Sequence, residues 1–345
     1  MAFLSRLFEK TRTRSAVLID IGAVTMGGAL ALMPEDALPE ILYATRMAIA
    51  PHSGEAPLAA MSRTLEHLCA TLQKDGAPLL MRRAGNGHPD DILVSVDAPW
   101  QSTELRIETI ERLHPFTFTR SIVSEALRRE GKTPSGQVLA DESIVGTVLN
   151  GYPTARPYGR QVTQARVTVL VSHITQAAAD AITATLRAAY HRESAELIAG
   201  ASMRTQGVRA AFPHEHDALL VDAAGPEISI ALIRRGMLAA VEDAPDGAPG
   251  TDTWVGEIAE HLKRLASKYP LPRLVFLLAP SGGEARTFTT KLGGAPMREL
   301  WLSEDPPHIL PLSAEHLNAF LARPLDASAD LLLGLMTVAW AHRAG

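Results

Sequence analysis

The run "AVLIDIGAVTMGGALALM" occupies Ala16 to Met33, and "ALLVDAAGPEISIALI" occupies Ala218 to Ile233. Each is an apolar run that ends in Asp, then a small-residue turn, then a second apolar run. Asp20 and Asp222 hold equivalent places. A motif recurring at this spacing marks a duplicated unit facing its own copy. The surroundings repeat as well. Ser15–Ile21, Ala29–Met33 and Glu40–Ile49 read as a strand meander, with Pro34 and Pro39 as punctuation. Pro57–Lys74 then places Leu58, Met61, Leu65, Leu68 and Leu72 at helical spacing, and Asp90–Trp100 reads as a buried strand. In the second copy Ala218–Val221, Ile228–Ile233 and Met237–Val241 form the meander. Trp254–Lys268 is the helix and Arg273–Ala279 the buried strand.

Between the copies the texture changes. Thr103–Ile110, Ser143–Leu149 and Ala165–Ser172 read as strands, and Arg120–Glu130 and Thr175–Tyr190 as helices. Asn150-Gly151 between two apolar runs is a hairpin signal. This order predicts a small inserted α+β unit. Glu196–Phe212 is predicted as a helix returning to the main body. Glu284–Leu292 is predicted as a helix, Met297–Leu302 as a strand and Asp326–His342 as the last helix.

Composition narrows the function classes. The 345 residues are 46% hydrophobic and 21% charged, with a net charge of −5. That is an ordinary globular balance, and it gives nucleic acid phosphates no chain-wide attraction. One cysteine, Cys69, allows neither an internal disulfide nor a cysteine-based zinc site. No run reaches the roughly 20 apolar residues of a membrane span. "LLLGLMTVAWA" (Leu331–Ala341) reads instead as a buried helix. Residues 1–14 carry Phe3, Leu4, Leu7 and Phe8 beside Arg6, Lys10, Arg12 and Arg14. They read either as a frayed end or as a basic amphipathic segment for peripheral membrane contact, without the features of a signal peptide.

The paired Asp turns resemble the phosphate turns of the actin-like ATPase superfamily. The stretch Leu149–Leu186 resembles the small SHS2-type subdomain of its FtsA/PilM group. The resemblance implies an α/β, actin-like (ribonuclease H-like) duplicated two-domain fold with an inserted α+β subdomain. Its boundaries would be 15–99 for the first half of domain 1, 100–192 for the insertion, 193–215 for the return helix and 216–345 for domain 2. It also implies ATP with Mg²⁺ in the cleft. Asp20, Gly22, Ala23 and Thr25 would form one turn, Asp222 and Gly225 the other, and Gly282 and Gly283 an adenosine contact. Asp20 and Asp222 would hold the hydrated metal.

The turns depart from the family pattern. Ala23 stands where the first turn carries Ser or Thr. Ala224 and Pro226 replace glycines of the second, and Glu227 replaces a Thr hydroxyl. Pro226 removes a backbone donor, and Glu227 brings a negative charge toward phosphate oxygens. No general base for water attack is assignable. The resemblance therefore implies a cytoplasmic scaffold beside the inner membrane rather than an efficient ATPase. Its partner would be the cytoplasmic tail of an inner-membrane protein or an FtsZ-like filament, and homo-oligomers are compatible with it. The short link from Trp254–Lys268 to the next strand, and the lack of a basic amphipathic helix after the last one, favour a PilM-like pilus role. "NGYP" (Asn150–Pro153) favours an FtsA-like division role. A true polymerising ATPase is the reading from a different class.

Other motifs have plainer readings. "PHEHD" (Pro213–Asp217) pairs His214 with His216 but reads as a surface loop, and "AGNGHPDD" (Ala84–Asp91) as a turn. Trp100, Tyr152 and Tyr158 read either as a contact patch or as core. No GxxxxGK[ST] loop occurs.

Overall fold

A computed structural model describes residues 13–344, apart from 35–36, 131–132, 155, 193–194, 226–227, 245–251, 280, 295–299 and 302–304. The membrane reading of residues 1–14 falls almost wholly outside this range. Arg14 itself begins the first strand and pairs with Asp91 at 2.7 Å. Pro226, Glu227 and most of Met297–Leu302 also lie outside the described residues.

Two five-stranded sheets share one topology. In the first, β1 (Arg14–Ile21), β2 (Thr25–Met33) and β3 (Glu40–Ala48) form an antiparallel meander. β4 (Asp91–Val96) runs parallel to β1 and β9 (Glu196–Ala199) parallel to β4, giving the order β3-β2-β1-β4-β9. The equivalent strands of the second are β10 (Ala218–Asp222), β11 (Ile228–Arg234), β12 (Met237–Ala244), β13 (Leu274–Leu278) and β14 (His308–Pro311), in the order β12-β11-β10-β13-β14. The duplication read from the two Asp runs is thus present in the strand order.

The Asp runs are apolar throughout because both faces of each sheet are covered. Val17, Ile19 and Ile21 of β1 pack with Leu65 and Leu68 of α1 (Pro57–Thr71), which continues through a π-helical turn, Leu72–Gly76, into α2 (Ala77–Ala84). Ala16 and Leu18 face the other way, against Leu333, Met336 and Trp340. In β10, Leu219 and Val221 meet Trp254 and Ile258, while Ala218 and Leu220 meet Leu335 and Val338.

The inserted sheet has the order β5-β8-β6-β7. Its strands are β5 (Gln101–Thr117), β6 (Gln137–Leu149), β7 (Tyr152–Pro153) and β8 (Gln161–Thr175). The Asn150-Gly151 turn closes β6 on β7 with φ of 47° and 86°, as an Asn-Gly hairpin requires. One face packs against α3 (Arg120–Glu130) through Val123, Phe118, Val167 and Val169. On the other face Leu170 joins the core of the second half. Helix α4 (Gln176–Tyr190), read from sequence as part of the insertion, packs Ile182, Leu186 and Tyr190 into the first sheet's core.

The chain returns by a short strand, β9 (Glu196–Ala199), and then α5 (Gly200–Ala211). The sequence reading merged these two elements into one helix. It also missed β14. The remaining helices are α6 (Asp252–Ala266), α7 (Gly282–Gly294) and α8 (Leu331–Ala344), with a 3₁₀ segment at Ala314–Phe320. Helices α5 and α8 fill the space between the two sheets. Leu333, Met336 and Trp340 of α8 face the first sheet, whereas Leu335 and Val338 face the second. This is why "LLLGLMTVAWA" is apolar on all sides. The two helices cross closely at Gly207, where a Cβ would come within 2.7 Å of the Leu335 carbonyl oxygen.

Candidate functional site

The structure brings the two Asp turns together at the mouth of the cleft between the sheets. Asp20 is the penultimate residue of β1 and Asp222 the last of β10. Their registers match: Asp20 lies beside Gly27 and Ser95, and Asp222 beside Ser229 and Leu278. Both carboxylates are buried. The first turn closes through Gly22 N–H donating to the Thr25 carbonyl at 3.0 Å. Trp100 fixes it from below, its Nε1 donating to the Gly22 carbonyl at 3.0 Å. Trp100 is therefore core rather than a contact patch, while Tyr152 and Tyr158 remain exposed. In the second turn the Ala224 N–H donates to Asp222 Oδ1 at 3.0 Å.

Two arginines occupy the space between the turns. Arg204 projects from the first turns of α5. Its Nη1 and Nη2 donate to Asp97 Oδ2 and Oδ1 at 3.0 and 2.5 Å, its Nε pairs with Asp222 Oδ2, and Nη1 lies 3.9 Å from Asp20 Oδ1. One guanidinium thus joins Asp20 and Asp97 of the first half to Asp222 of the second. Arg46, on β3, donates from Nη2 to Asp20 at 2.8 Å, from Nε to Asp330 at 2.6 Å and from Nη1 to the Thr25 hydroxyl at 3.1 Å. Asp330 also accepts the Leu333 N–H at 3.1 Å and so caps α8.

Two glycines make this arrangement sterically available. A Cβ on Gly27 would sit 2.6 Å from Arg46 Nη2, and one on Gly200 would collide with the Asp97 carboxylate. Gly27 and Gly28 belong to β2 rather than to a phosphate turn. The second copy has Ser229 in place of Gly27.

The electrostatics follow from burial and charge together. Burial opposes the charge on Arg204, but Asp222 and Asp97 outweigh it and hold the guanidinium above its ordinary range. Burial likewise opposes Arg46, and Asp20 with Asp330 raises it. Asp97 goes the other way. Burial pushes its carboxyl up to about 6, Asp20 and Asp222 add to the rise, and Arg204 opposes it.

The ATP with Mg²⁺ implied by the resemblance does not fit this arrangement. The carboxylates that would hold the metal's water shell already face guanidinium groups, so a dication would meet like charge. The space left is about 70 Å³, bounded by Asp20, Gly22, Arg46, Arg204, Asp222 and Gly225 among others. A small-molecule site encloses roughly 300–1,000 Å³. Ala23 and Thr25 line this space, but Thr25 spends its hydroxyl on Arg46. Gly282 and Gly283 do not line it. They are exposed at the start of α7, where Ser281 caps the helix by accepting the Glu284 N–H at 3.3 Å.

Sequence reasoning missed Arg46, Arg204, Asp97 and Asp330. Only Asp97 left a signal: it ends the apolar run of β4 much as Asp20 ends β1. The His214–His216 pair gathers no further ligands, and no group of three metal-ligating side chains occurs among the described residues. No helix among them is long and apolar enough to cross a membrane.

No family model matches the chain, and no curated protein matches it by sequence. Solved structures do. A chain of the PilM–PilN type IV pilus biogenesis complex is 16% identical, with 95% of this chain and 98% of that one covered and a TM-score of 0.56. This chain has the actin-like ATPase fold. A Bacteroides thetaiotaomicron protein of actin-like ATPase fold and unknown function is 7% identical over 96% of this chain and 97% of that one, with a TM-score of 0.48. A Thermus thermophilus ROK hexokinase is 13% identical over 96% and 99%, with a TM-score of 0.38. Within the actin-like fold of this chain, the cleft between the two halves is bridged by the protein's own arginine.

Proposed function

We propose that this actin-like chain is a non-hydrolysing scaffold of the FtsA/PilM type, closest in role to PilM. It would sit in the cytoplasm beside the inner membrane and hold the tail of a membrane protein. One observation carries the reading: Arg204 joins Asp97 to Asp222 across the cleft and leaves about 70 Å³ between the turns. In this reading residues 15–99 and 193–215 form one half, 216–345 the other, and 100–192 the insertion, whose last helix, α4, packs into the core of the first half. Asp20 and Asp222 hold the guanidinium in place of a metal. The angle between the halves is then set by side chains of the protein and not by a nucleotide. The fold shared with a chain of a PilM–PilN complex supports a membrane-protein partner over a soluble filament.

Titration calorimetry of the full chain with Mg-ATP tests this. No heat is expected up to millimolar ATP. Micromolar binding that disappears in Asp20→Ala would overturn the reading and restore a live nucleotide cleft. Pull-down from membranes then separates pilus from division roles, by recovery of a small bitopic membrane protein or of an FtsZ-like protein.

A further inference from the structure

A second cavity lies away from the arginine-bridged cleft. It encloses about 650 Å³ between the inserted sheet, the loop after α5 and the β11–β12 turn. Its floor carries apolar surface from Phe212, Pro213, Tyr158 and Met237, and its rim carries Arg209, Arg235, His216 and His342. Among the described residues Glu215 is the single acidic side chain on this lining.

Three observations define what fits there. First, the charge is unmatched. Neither Arg209 nor Arg235 makes a side-chain ion pair or hydrogen bond to any of the described residues, although acidic residues outnumber basic ones in the chain by 38 to 33. The buried and half-buried arginines Arg46, Arg106 and Arg204 each face a carboxylate, whereas Arg209 and Arg235 stand exposed on the cavity rim. Arg209 is still exposed at the mouth, yet partial burial lowers its pKa with no anion to offset it. Second, one wall is an open strand edge. β6 pairs with β7 at Val148 and Leu149, the Thr147 carbonyl accepts the Thr154 N–H at 2.8 Å, and before Thr147 the outer edge of β6 has no strand partner among the described residues. Ile144 to Thr147 of that strand line the cavity, and Ile144 is an exposed apolar side chain. An open edge offers backbone donors and acceptors to an extended segment. Third, the volume suits several residues rather than one small ion, which would leave most of the apolar floor uncovered.

We propose that this groove docks an acidic, extended peptide segment, which runs along the β6 edge with its carboxylates on Arg209 and Arg235. The inference rests on the scaffold reading and names the surface that the partner would use. Apolar side chains of the segment cover Phe212 and Met237, and its alternate acidic side chains meet the two guanidiniums. This alternation is the natural period of a strand. Gly146 shapes the groove, since a Cβ there would lie 3.1 Å from Met237.

Fluorescence anisotropy with the full chain tests the proposal. The probe is a labelled peptide of about eight residues alternating Val and Glu. Saturable binding is expected, and it should weaken as salt is raised from about 50 to about 300 mM, because paired charges are screened. The double variant Arg209→Glu/Arg235→Glu should raise the dissociation constant at least about tenfold. The conservative pair Arg209→Lys/Arg235→Lys should keep most of the affinity, which controls for misfolding. Equal binding of a Val-Lys peptide, or unchanged affinity in the Glu variant, would overturn the groove. So would full competition by inorganic phosphate at the peptide's own concentration, which would leave a small-anion site. The two readings fail separately. Loss of peptide binding with no ATP heat removes the groove alone, whereas micromolar ATP binding with intact peptide binding removes the scaffold reading alone.

Discussion

Arg204 grips Asp97 through both carboxylate oxygens, at 3.0 and 2.5 Å, while its Nε pairs with Asp222 from the opposite half of the molecule. The side chain is buried, and so its worth lies less in attraction than in the cost of removing it. Breaking a buried pair leaves uncompensated charge, which costs about 3–5 kcal/mol. Arg204→Ala should destabilise the protein by about that much, measured by urea unfolding. Adding Asp222→Asn should recover part of the loss, because two coupled partners do not contribute independently.

The Asp97 carboxyl gives the cluster a pH signature. Its pKa in the fold is about 6, above the ordinary 3.8. A group raised in this way contributes stability in full below 3.8, and the contribution is lost as pH rises through about 6. Asp97→Asn cannot titrate. Wild type should therefore lose stability relative to Asp97→Asn between about pH 4 and pH 6, with a level difference above that window. Melting temperatures of both proteins across this range check it. A flat difference would remove Asp97 as the titrating group.

Gly27→Ala should act through Arg46. The added Cβ would sit 2.6 Å from Arg46 Nη2 and 2.9 Å from Cζ, so the guanidinium must leave Asp20. The expected cost is about 1–3 kcal/mol, in the range of displaced charged partners. In an Arg46→Ala background the same substitution should cost almost nothing. A double-mutant cycle by chemical denaturation measures that coupling.

Trp100→Phe keeps an aromatic ring in the core and deletes the bond to the Gly22 carbonyl. The loss should be about 1–2 kcal/mol, mostly that of one buried acceptor left unpaired. Hydrogen exchange should show faster opening at Gly22 and Thr25, while the amides of β10 stay as protected as before.

Much of the fold was legible because buried central strands are written as unbroken apolar runs. Ala16–Ile21, Ala218–Val221 and Leu274–Leu278 could be read this way, and their spacing carried the duplication. Two edge strands were not legible. Glu196–Ala199 runs directly into α5, and His308–Pro311 is four residues long, too short for alternation to register. Helix α4 follows the inserted sheet in sequence, so chain order assigned it there. Leu65 and Leu68, far upstream, assign it to the first sheet. The site was half legible. Asp20 and Asp222 stand at strand ends where the repeat places them. Arg204 reads like any solvent-facing helix arginine, since the three carboxylates that bury it lie on other segments. The Gly282–Gly283 pair signalled a turn correctly, but nothing local to it reports distance from the cleft.

The pairing of α8 with the underside of the first sheet bears on how this protein is made. Ala16, Leu18, Ala29, Ala31 and Leu93 leave the ribosome early, and the side chains that cover them, Leu333, Met336, Ala339 and Trp340, are synthesised last. Asp330, which steadies Arg46, arrives at the same late moment. Until then one face of the nascent sheet stays bare, so a stalled or prematurely ended chain is a substrate for chaperones and proteases, whatever the quality of its first half.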